Sequence, residues 1–164
     1  MTKIYLFDWG DTLMVNPPEM KGKMCLWEHV EAISGALEML TTLSQQGCKL
    51  YVATGAGDSS MEDIRIAFER VGLDTFISGY FCQANLGIGK GTAAYYQAII
   101  EKLDTKASEV TMVGDLMHRD ILPAIEAGLN AIWFTPHLST REMRDDYQQI
   151  LSLSELCVID RPFD

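Results

Sequence analysis

Short runs of apolar, β-branched and aromatic residues alternate along the chain with stretches of helical periodicity. This alternation is typical of repeated β-α units, in which parallel strands are connected by helices that cover both faces of the sheet. It predicts an α/β protein with a Rossmann-like, three-layer α/β/α architecture and a mainly parallel sheet. The predicted strands cover residues 3–7, 48–53, 79–82, 110–113 and 131–134, with a weaker candidate at residues 157–159.

Two of the predicted helices carry an apolar stripe. Residues three or four positions apart share one face of a helix, so each stripe should pack against the sheet. Ser59, followed three positions later by Glu62, predicts a capping box at the start of the second helix. The stripes consist of Ile33, Leu37 and Leu40 in the first helix and of Ile64, Ala67, Phe68 and Val71 in the second.

The segment after the first predicted strand is the least regular part of the chain. Residues 14–30 include Pro17, Pro18 and Gly22 with mixed charge, which predicts a loop or a small flap. The sequence contains no repeat, low-complexity tract or interdomain linker, and its 164 residues suit one domain. We therefore predict a single domain over residues 1–164, with a possible small flap at residues 14–30 and no large cap domain.

Composition and charge exclude several classes of protein. Apolar residues make up 48% and charged residues 22% of the chain, which is ordinary for a globular domain and unlike a disordered chain. The formal charge of −10 repels polyanions, so no nucleic-acid partner is expected. The four cysteines form no Cys-x-x-Cys motif, which favours reduced thiols in the cytoplasm. The apolar run at residues 4–7 is too short for a signal peptide or a membrane span, so no membrane partner is expected.

Polar residues that suit phosphate chemistry follow three of the predicted strands, and a lysine precedes a later helix. The carboxyl ends of parallel strands meet at one edge of a sheet, where ligands bind, so these side chains should lie together. Carboxylates bind Mg²⁺, while a hydroxyl, backbone N–H groups and an ammonium bind phosphoryl oxygens. A carboxylate can also attack phosphorus. The residues concerned are Asp8, Thr54, Gly55, Lys90, Asp115 and Asp120.

Four motifs occur in one order along the chain: Asp8-x-x-x-Thr12, Thr54, Lys90 and Gly114-Asp115-x-x-x-x-Asp120. Together they resemble the haloacid dehalogenase superfamily, in its capless, phosphatase-like branch, over nearly the whole chain. The resemblance implies a Mg²⁺-dependent phosphohydrolase of phosphate monoesters or acyl phosphates, acting on small phosphorylated substrates through an aspartyl-phosphate. It also implies that Thr54 and the Gly55 N–H bind the phosphoryl group, and that Lys90 balances the charge of nucleophile and phosphate.

The same resemblance assigns a metal site. Asp8 would be both the nucleophile and a Mg²⁺ ligand, and Gly10 would lend its backbone carbonyl to the ion. Asp115 would complete the protein ligands, and Asp120 would ligate or support the metal. Capless members have open sites that accept large substrates or take a cover from a partner subunit, so a homodimer is one arrangement to be considered.

The sequence departs from the family at position 10. Members usually carry a second Asp two residues after the nucleophile, which protonates the leaving group and then activates water, whereas this chain has Gly10 followed by Asp11. Asp11 could replace that acid and base. Alternatively, Asp11 is only a turn residue and activity is confined to aryl or acyl phosphates, which need less proton transfer.

Two further alternatives stay open. The chain could be a non-catalytic phosphate-binding or regulatory protein that has lost the second Asp, or it could transfer the phosphoryl group to an acceptor other than water. Release of phosphate from a panel of esters distinguishes the non-catalytic protein from an enzyme.

Overall fold

Six parallel strands form the centre of the fold in a computed structural model that describes residues 3–142 and 144–159. The strands are β1 (Ile4–Phe7), β2 (Lys49–Ala53), β3 (Gly79–Phe81), β4 (Val110–Gly114), β5 (Asn130–Phe134) and β6 (Gln148–Ile150). Their order in the sheet is β3-β2-β1-β4-β5-β6, and every neighbouring pair is parallel. The strands β2, β1 and β4, which precede most of the candidate site residues, are therefore adjacent.

Helices cover both faces of this sheet. Side chains point to alternate faces along β1. Tyr5 and Phe7 pack into one core with the helices Ala36–Gln45 and Met61–Glu69, and Leu6 packs into a second core with the helices Ala93–Leu103 and Leu122–Glu126. Both faces of the strand are buried, which explains its uninterrupted apolar sequence. The three-layer α/β/α prediction is confirmed. The helices are α1 (Ala36–Gln45), α2 (Met61–Glu69), α3 (Gln83–Leu86), α4 (Ala93–Leu103), α5 (Leu122–Glu126) and α6 (Leu156–Ile159).

Five of the strand predictions are confirmed to within one residue at each end. The weaker candidate at residues 157–159 is wrong, because these residues belong to α6, and the sixth strand is Gln148–Ile150 instead. The buried side chain of Gln149 donates a hydrogen bond to Oγ1 of Thr135 at 2.8 Å. A polar residue therefore occupies a buried strand position, so the apolar pattern could not reveal this strand.

The apolar stripe predicted for α1 is only partly correct. The helix begins at Ala36, so Ile33 precedes it, and Leu37 is 45% exposed. The face of α1 that packs against the core therefore differs from the predicted one and shares only Leu40 with it. The buried residues of α1 are Ala36, Met39, Leu40 and Leu43.

The capping box of α2 lies one residue later than predicted. Oγ of Ser60, not of Ser59, accepts a hydrogen bond from the Asp63 N–H at 3.2 Å, and Oδ2 of Asp63 accepts one from the Ser60 N–H at 3.0 Å. Asp63 therefore takes the position expected for Glu62. Within the predicted stripe, Ile64, Ala67 and Phe68 are buried in the helix, and Val71 lies beyond its end.

Residues 14–30 have an irregular backbone, apart from a short 3₁₀ turn at Met24–Leu26, and are attached to α2. The Arg70 guanidinium, just after α2, donates hydrogen bonds to the carbonyl oxygens of Trp27 and Glu28, the latter at 3.0 Å. Lys23 forms an ion pair with Asp63 at 2.9 Å. These contacts hold the segment against the helix.

Within the described ranges, no helix combines the length and the apolar character that a bilayer crossing requires. The longest of them, α4, has 11 residues. Among the described residues, no disulfide bond joins any of the four cysteines, Cys25, Cys48, Cys82 and Cys157.

The attachment of residues 14–30 can be tested with Arg70→Met. We expect faster amide hydrogen exchange in this segment and a loss of about 1 kcal/mol in the free energy of unfolding, because several carbonyls lose a charged donor. Arg65→Met is the matched control, since Arg65 pairs with Glu62 and Glu69 of its own helix. Equal exchange of the segment in both variants would contradict the assignment.

Candidate active site

A buried lysine joins three parts of the chain at the carboxyl edge of the sheet. Nζ of Lys90, between α3 and α4, lies 2.8 Å from Oδ1 of Asp8 and 2.6 Å from Oδ1 of Asp120. It also donates a hydrogen bond to the carbonyl oxygen of Ala53, the last residue of β2, at 2.9 Å. The lysine side chain is only 2% exposed. The ammonium is therefore held by groups that follow β1, β2 and β4.

Carboxyl groups outnumber ammonium groups around this lysine. Carboxylate oxygens of Asp8, Asp115 and Asp120 all lie within 4.8 Å of one another. Burial, reinforced by the carboxylates of Asp8 and Asp120, raises the pKa of Asp115 to about 8. Burial also raises the pKa of Asp120, although the Lys90 ammonium opposes this change.

The charge state of Lys90 is determined by the same neighbours. Burial by itself would lower the pKa of its ammonium, but the carboxylates of Asp8 and Asp120 outweigh burial and raise the pKa. Lys90 is therefore positively charged at neutral pH. The three close carboxyl groups offer oxygen donors that fit a divalent cation such as Mg²⁺, whose binding would displace the proton of Asp115.

The loop after β4 is shaped by a close approach of Asp120 to the backbone. Oδ2 of Asp120 accepts a hydrogen bond from the Leu116 N–H at 2.9 Å. A Cβ atom at position 114 would overlap the Asp120 carboxyl group, so this approach requires Gly114. Both oxygens of Asp120 thus have a neighbour, one in Lys90 and the other in the loop backbone.

Asp115 is oriented by two residues to which the sequence analysis gave no role. Oγ1 of Thr12 donates a hydrogen bond to Oδ1 of Asp115 at 3.3 Å. The indole N–H of Trp133, on β5, donates to the backbone carbonyl of Asp115 at 3.0 Å. Thr12 belongs to the first motif and was therefore visible in the sequence, whereas no sequence signal marked Trp133.

Thr54 and Gly55 form another wall of the site. The Thr54 side chain is buried, and its Oγ1 accepts a hydrogen bond from the Ala56 N–H at 3.1 Å. From below, the Tyr95 hydroxyl on α4 donates to the Thr54 carbonyl at 2.8 Å. These contacts hold the end of β2 in a fixed turn beside Lys90.

Every site residue predicted from the sequence lines a single cavity of about 330 Å³. The cavity brings together the three aspartates around Lys90, the Thr54-Gly55 turn, and the Gly10-Asp11 turn after β1. The cavity is also lined by residues that the sequence did not mark as site residues. Among them are Asn16 and Trp27 from the irregular segment and Arg119 from the helical turn after β4.

The turn at positions 10 and 11 has an unusual backbone. Asp11 has a φ of 60°, in the left-handed region, and its Oδ1 accepts a hydrogen bond from the Asn16 N–H at 3.0 Å. A Cβ atom on Gly10 would lie 3.0 Å from Nδ2 and 3.1 Å from Cβ of Asn16. Asn16 therefore fills the space that a side chain at position 10 would need. The exposed Asp11 has the contact of a turn residue and also lines the cavity.

The raised pKa of Asp115 predicts a specific pH dependence of stability. In EDTA, the folded protein keeps the Asp115 proton up to a pH of about 8, whereas the unfolded chain loses it near its ordinary pKa of 3.8. Raising the pH between these values therefore favours the unfolded state, and the free energy of unfolding should fall. We expect Asp115→Asn, which cannot ionise, to reduce this fall in denaturant titrations.

Asp58→Asn is the control for that experiment, because Asp58 is an exposed carboxylate that lines the same cavity. Its titration series should follow that of the native protein. The assignment is wrong if Asp115→Asn shows the same dependence of unfolding free energy on pH as the native chain.

Two curated relatives resemble parts of this chain. The pyrimidine 5'-nucleotidase PynA of Streptococcus pneumoniae is 31% identical over 108 residues, which cover 65% of this chain and 44% of PynA. The ribulose-1,5-bisphosphate 5-phosphatase of Halopiger xanaduensis is 29% identical over 110 residues, covering 66% of this chain and 44% of that enzyme. The chain thus matches less than half the length of these two relatives.

A solved structure shares the fold over nearly the whole chain. The crystal structure of the putative HAD-hydrolase YfnB from Bacillus subtilis, bound to magnesium, matches with a TM-score of 0.74 at 18% identity. The match covers 96% of this chain and 98% of that chain. The family model of the haloacid dehalogenase-like hydrolases matches residues 8–128, which include every residue that lines the cavity. The chain therefore belongs to the haloacid dehalogenase-like hydrolase family.

Proposed function

We propose that this protein is a Mg²⁺-dependent phosphohydrolase that acts through an aspartyl-phosphate on Asp8. The observation that carries the proposal is the buried Lys90, which holds the Asp8 carboxylate at the edge of a cavity also lined by Thr54 and Asp115. A carboxylate beside an ammonium and a backbone turn suits attack on a phosphoryl group, whose oxygens need positive charge and N–H donors. The two curated phosphatase relatives support the same reaction class.

The acidic cluster would hold the metal ion. Asp8 and Asp115 would supply carboxylate oxygens, and Gly10 would supply its backbone carbonyl. Asp120, whose oxygens already contact Lys90 and the Leu116 N–H, would support the site from behind. When bound, Mg²⁺ offsets the repulsion between the attacking carboxylate and the phosphoryl oxygens.

The reaction would proceed in two displacements at phosphorus. A carboxylate oxygen of Asp8 attacks the phosphorus atom, the bond to the ester oxygen breaks, and the departing oxygen takes a proton from Asp11. Water then attacks the phosphorus of the aspartyl-phosphate and gives a proton to Asp11. The bond between phosphorus and Asp8 breaks, which releases inorganic phosphate and restores both carboxyl groups. Thr54, the Gly55 N–H and Lys90 would bind the phosphoryl oxygens throughout.

The proposed substrates are small phosphate monoesters or acyl phosphates. We place the protein in the cytoplasm, acting as a single domain over residues 1–164 with residues 14–30 as a small flap. An edge of the cavity left open by this flap would be covered by the substrate itself or by a second copy of the chain.

Phosphate release tests the nucleophile. We expect the native chain to release phosphate from aryl, alkyl or acyl phosphates with Mg²⁺ and to lose this activity in EDTA. Asp8→Asn should abolish turnover, because an amide cannot attack phosphorus as a carboxylate does. Asp58→Asn is the control that removes one carboxylate from the same cavity. If the native chain binds phosphate but releases none from any substrate, a non-catalytic phosphate-binding role replaces this proposal.

The role of Asp11 can be separated from its turn contact. Asparagine also tolerates left-handed backbone, and its side-chain oxygen can still accept the Asn16 N–H, so Asp11→Asn keeps the turn and removes the acid. We expect kcat for an alkyl phosphate to fall by about 10²–10⁴-fold, with a smaller fall for an aryl phosphate. Unchanged turnover of the alkyl phosphate would leave Asp11 as a turn residue only.

A further inference from the structure

Arg119 places a second positive charge beside the proposed phosphate site. It lies in a short π-helical turn, Met117–Ile121, after β4 and lines the same cavity as Thr54, Gly55 and Lys90. A Cβ atom on Gly55 would overlap the Arg119 guanidinium and would lie 3.2 Å from its Cζ. The guanidinium therefore packs directly against the turn whose N–H is assigned to the phosphoryl group.

The two cations that line the cavity differ in their partners. Lys90 is buried and paired with both Asp8 and Asp120. Arg119 is exposed, and within the described part of the chain its guanidinium has no ion pair or side-chain hydrogen bond. Although the protein has a formal charge of −10, no carboxylate of the described residues pairs with this arginine. It is the cation of the cavity that is available to a ligand.

The position of Arg119 relative to the phosphate site is determined by one helix. On α4, the Tyr96 hydroxyl donates a hydrogen bond to the Arg119 carbonyl at 2.8 Å. The preceding residue, Tyr95, donates to the Thr54 carbonyl, also at 2.8 Å. Both tyrosines are fully buried. The backbones that carry the arginine and the phosphate-binding turn are thus held at a fixed separation, which favours recognition of two groups on one molecule.

We propose that Arg119 binds a second anionic group of the substrate, so that the preferred substrates are phosphate monoesters that carry another phosphate or a carboxylate. The planar guanidinium can donate two parallel hydrogen bonds to either group. Lys90 does not take this role, because its ammonium is held beside Asp8, where it is assigned to the transferred phosphoryl group. The inference rests on the proposed function, since it concerns the leaving-group part of the substrate of that reaction.

The test compares phosphate monoesters with the same carbon chain, ending in a phosphate, a carboxylate or a neutral carboxamide. For the native chain we expect kcat/KM to be roughly 10- to 100-fold higher with one of the anionic ends than with the carboxamide. The end that gives the larger preference identifies the second anion. Arg119→Met should bring this ratio of kcat/KM close to one. Arg119→Lys keeps the positive charge but cannot donate two parallel hydrogen bonds, so it should retain part of the preference.

Lys106→Met is the control for loss of a positive charge, because Lys106 precedes β4 and lies at the edge of the sheet opposite the cavity. In this variant, the ratio of kcat/KM for the anionic and carboxamide esters should match that of the native chain. The inference is overturned if the native chain shows no preference for an anionic end. It is equally overturned if Arg119→Met leaves the ratio unchanged while lowering both rates, because Arg119 would then act on the transferred phosphoryl group.

Failure of the proposed function gives a different result from failure of this inference. If no ester is hydrolysed, calorimetric binding of alkylphosphonates with and without a terminal carboxylate or second phosphonate measures the same ratio without turnover. Tighter binding of the doubly anionic compounds that is lost in Arg119→Met supports the second anion site. Equal binding in the native chain and in Arg119→Met overturns it.

Discussion

The Lys90 ammonium is the contact on which the arrangement of this site depends. It lies between the carboxylates of Asp8 and Asp120 and also binds the carbonyl at the end of β2. Removing one partner of a buried ion pair generally costs about 3–5 kcal/mol, because the remaining charge stays buried without compensation. Here the remaining charges would be carboxylates that already repel Asp115, whose pKa is raised to about 8. The lysine therefore makes a dense acidic cluster compatible with a folded protein.

The parallel sheet explains why these groups can meet. Strands β2, β1 and β4 are neighbours in the sheet, so the residues that follow them are separated by only one or two interstrand spacings of about 4.8 Å. A phosphoryl group and a metal ion fit across that distance. The helix α4 then supports two walls of the cavity, through the hydroxyls of Tyr95 and Tyr96. Fold and site are thus built from the same few contacts.

The turn after β1 shows how a change at one position affects its neighbours. With Gly10 in place of a larger residue, Asn16 from the irregular segment comes into the vacant volume. The Asn16 backbone N–H also donates a hydrogen bond to the carboxylate of Asp11, a residue whose backbone is in the left-handed region. Arg70 in turn holds the later part of that segment on α2. The surroundings of the candidate acid therefore depend on the adjacent irregular segment, which Arg70, a residue distant in sequence, holds in place.

Much of the fold and the candidate site could be predicted from the sequence because the relevant signals are local. Buried strands appear in the sequence as apolar runs, and five strands were predicted from them. The polar residues after these runs mark the edge of the sheet that binds ligands, and all the residues predicted in this way line one cavity. The strand β6 escaped prediction because the buried side chain of Gln149 finds its hydrogen-bond partner in Thr135, the residue that follows β5.

Only the tertiary structure could decide which neighbouring side chains complete the site. Asn16, Arg119 and Trp133 belong to no motif in the sequence, and each gains its place in the site from a contact with a residue far along the chain or across a turn. Hydrophobic periodicity and motif spacing indicate the local structure of each segment, but they do not indicate which segments contact one another. The sequence by itself therefore determined five of the strands and the motif residues. Long-range packing decided which charged side chains form ion pairs and which cation remains available, because electrostatic interactions depend on the distance between groups in space and not on their separation in sequence.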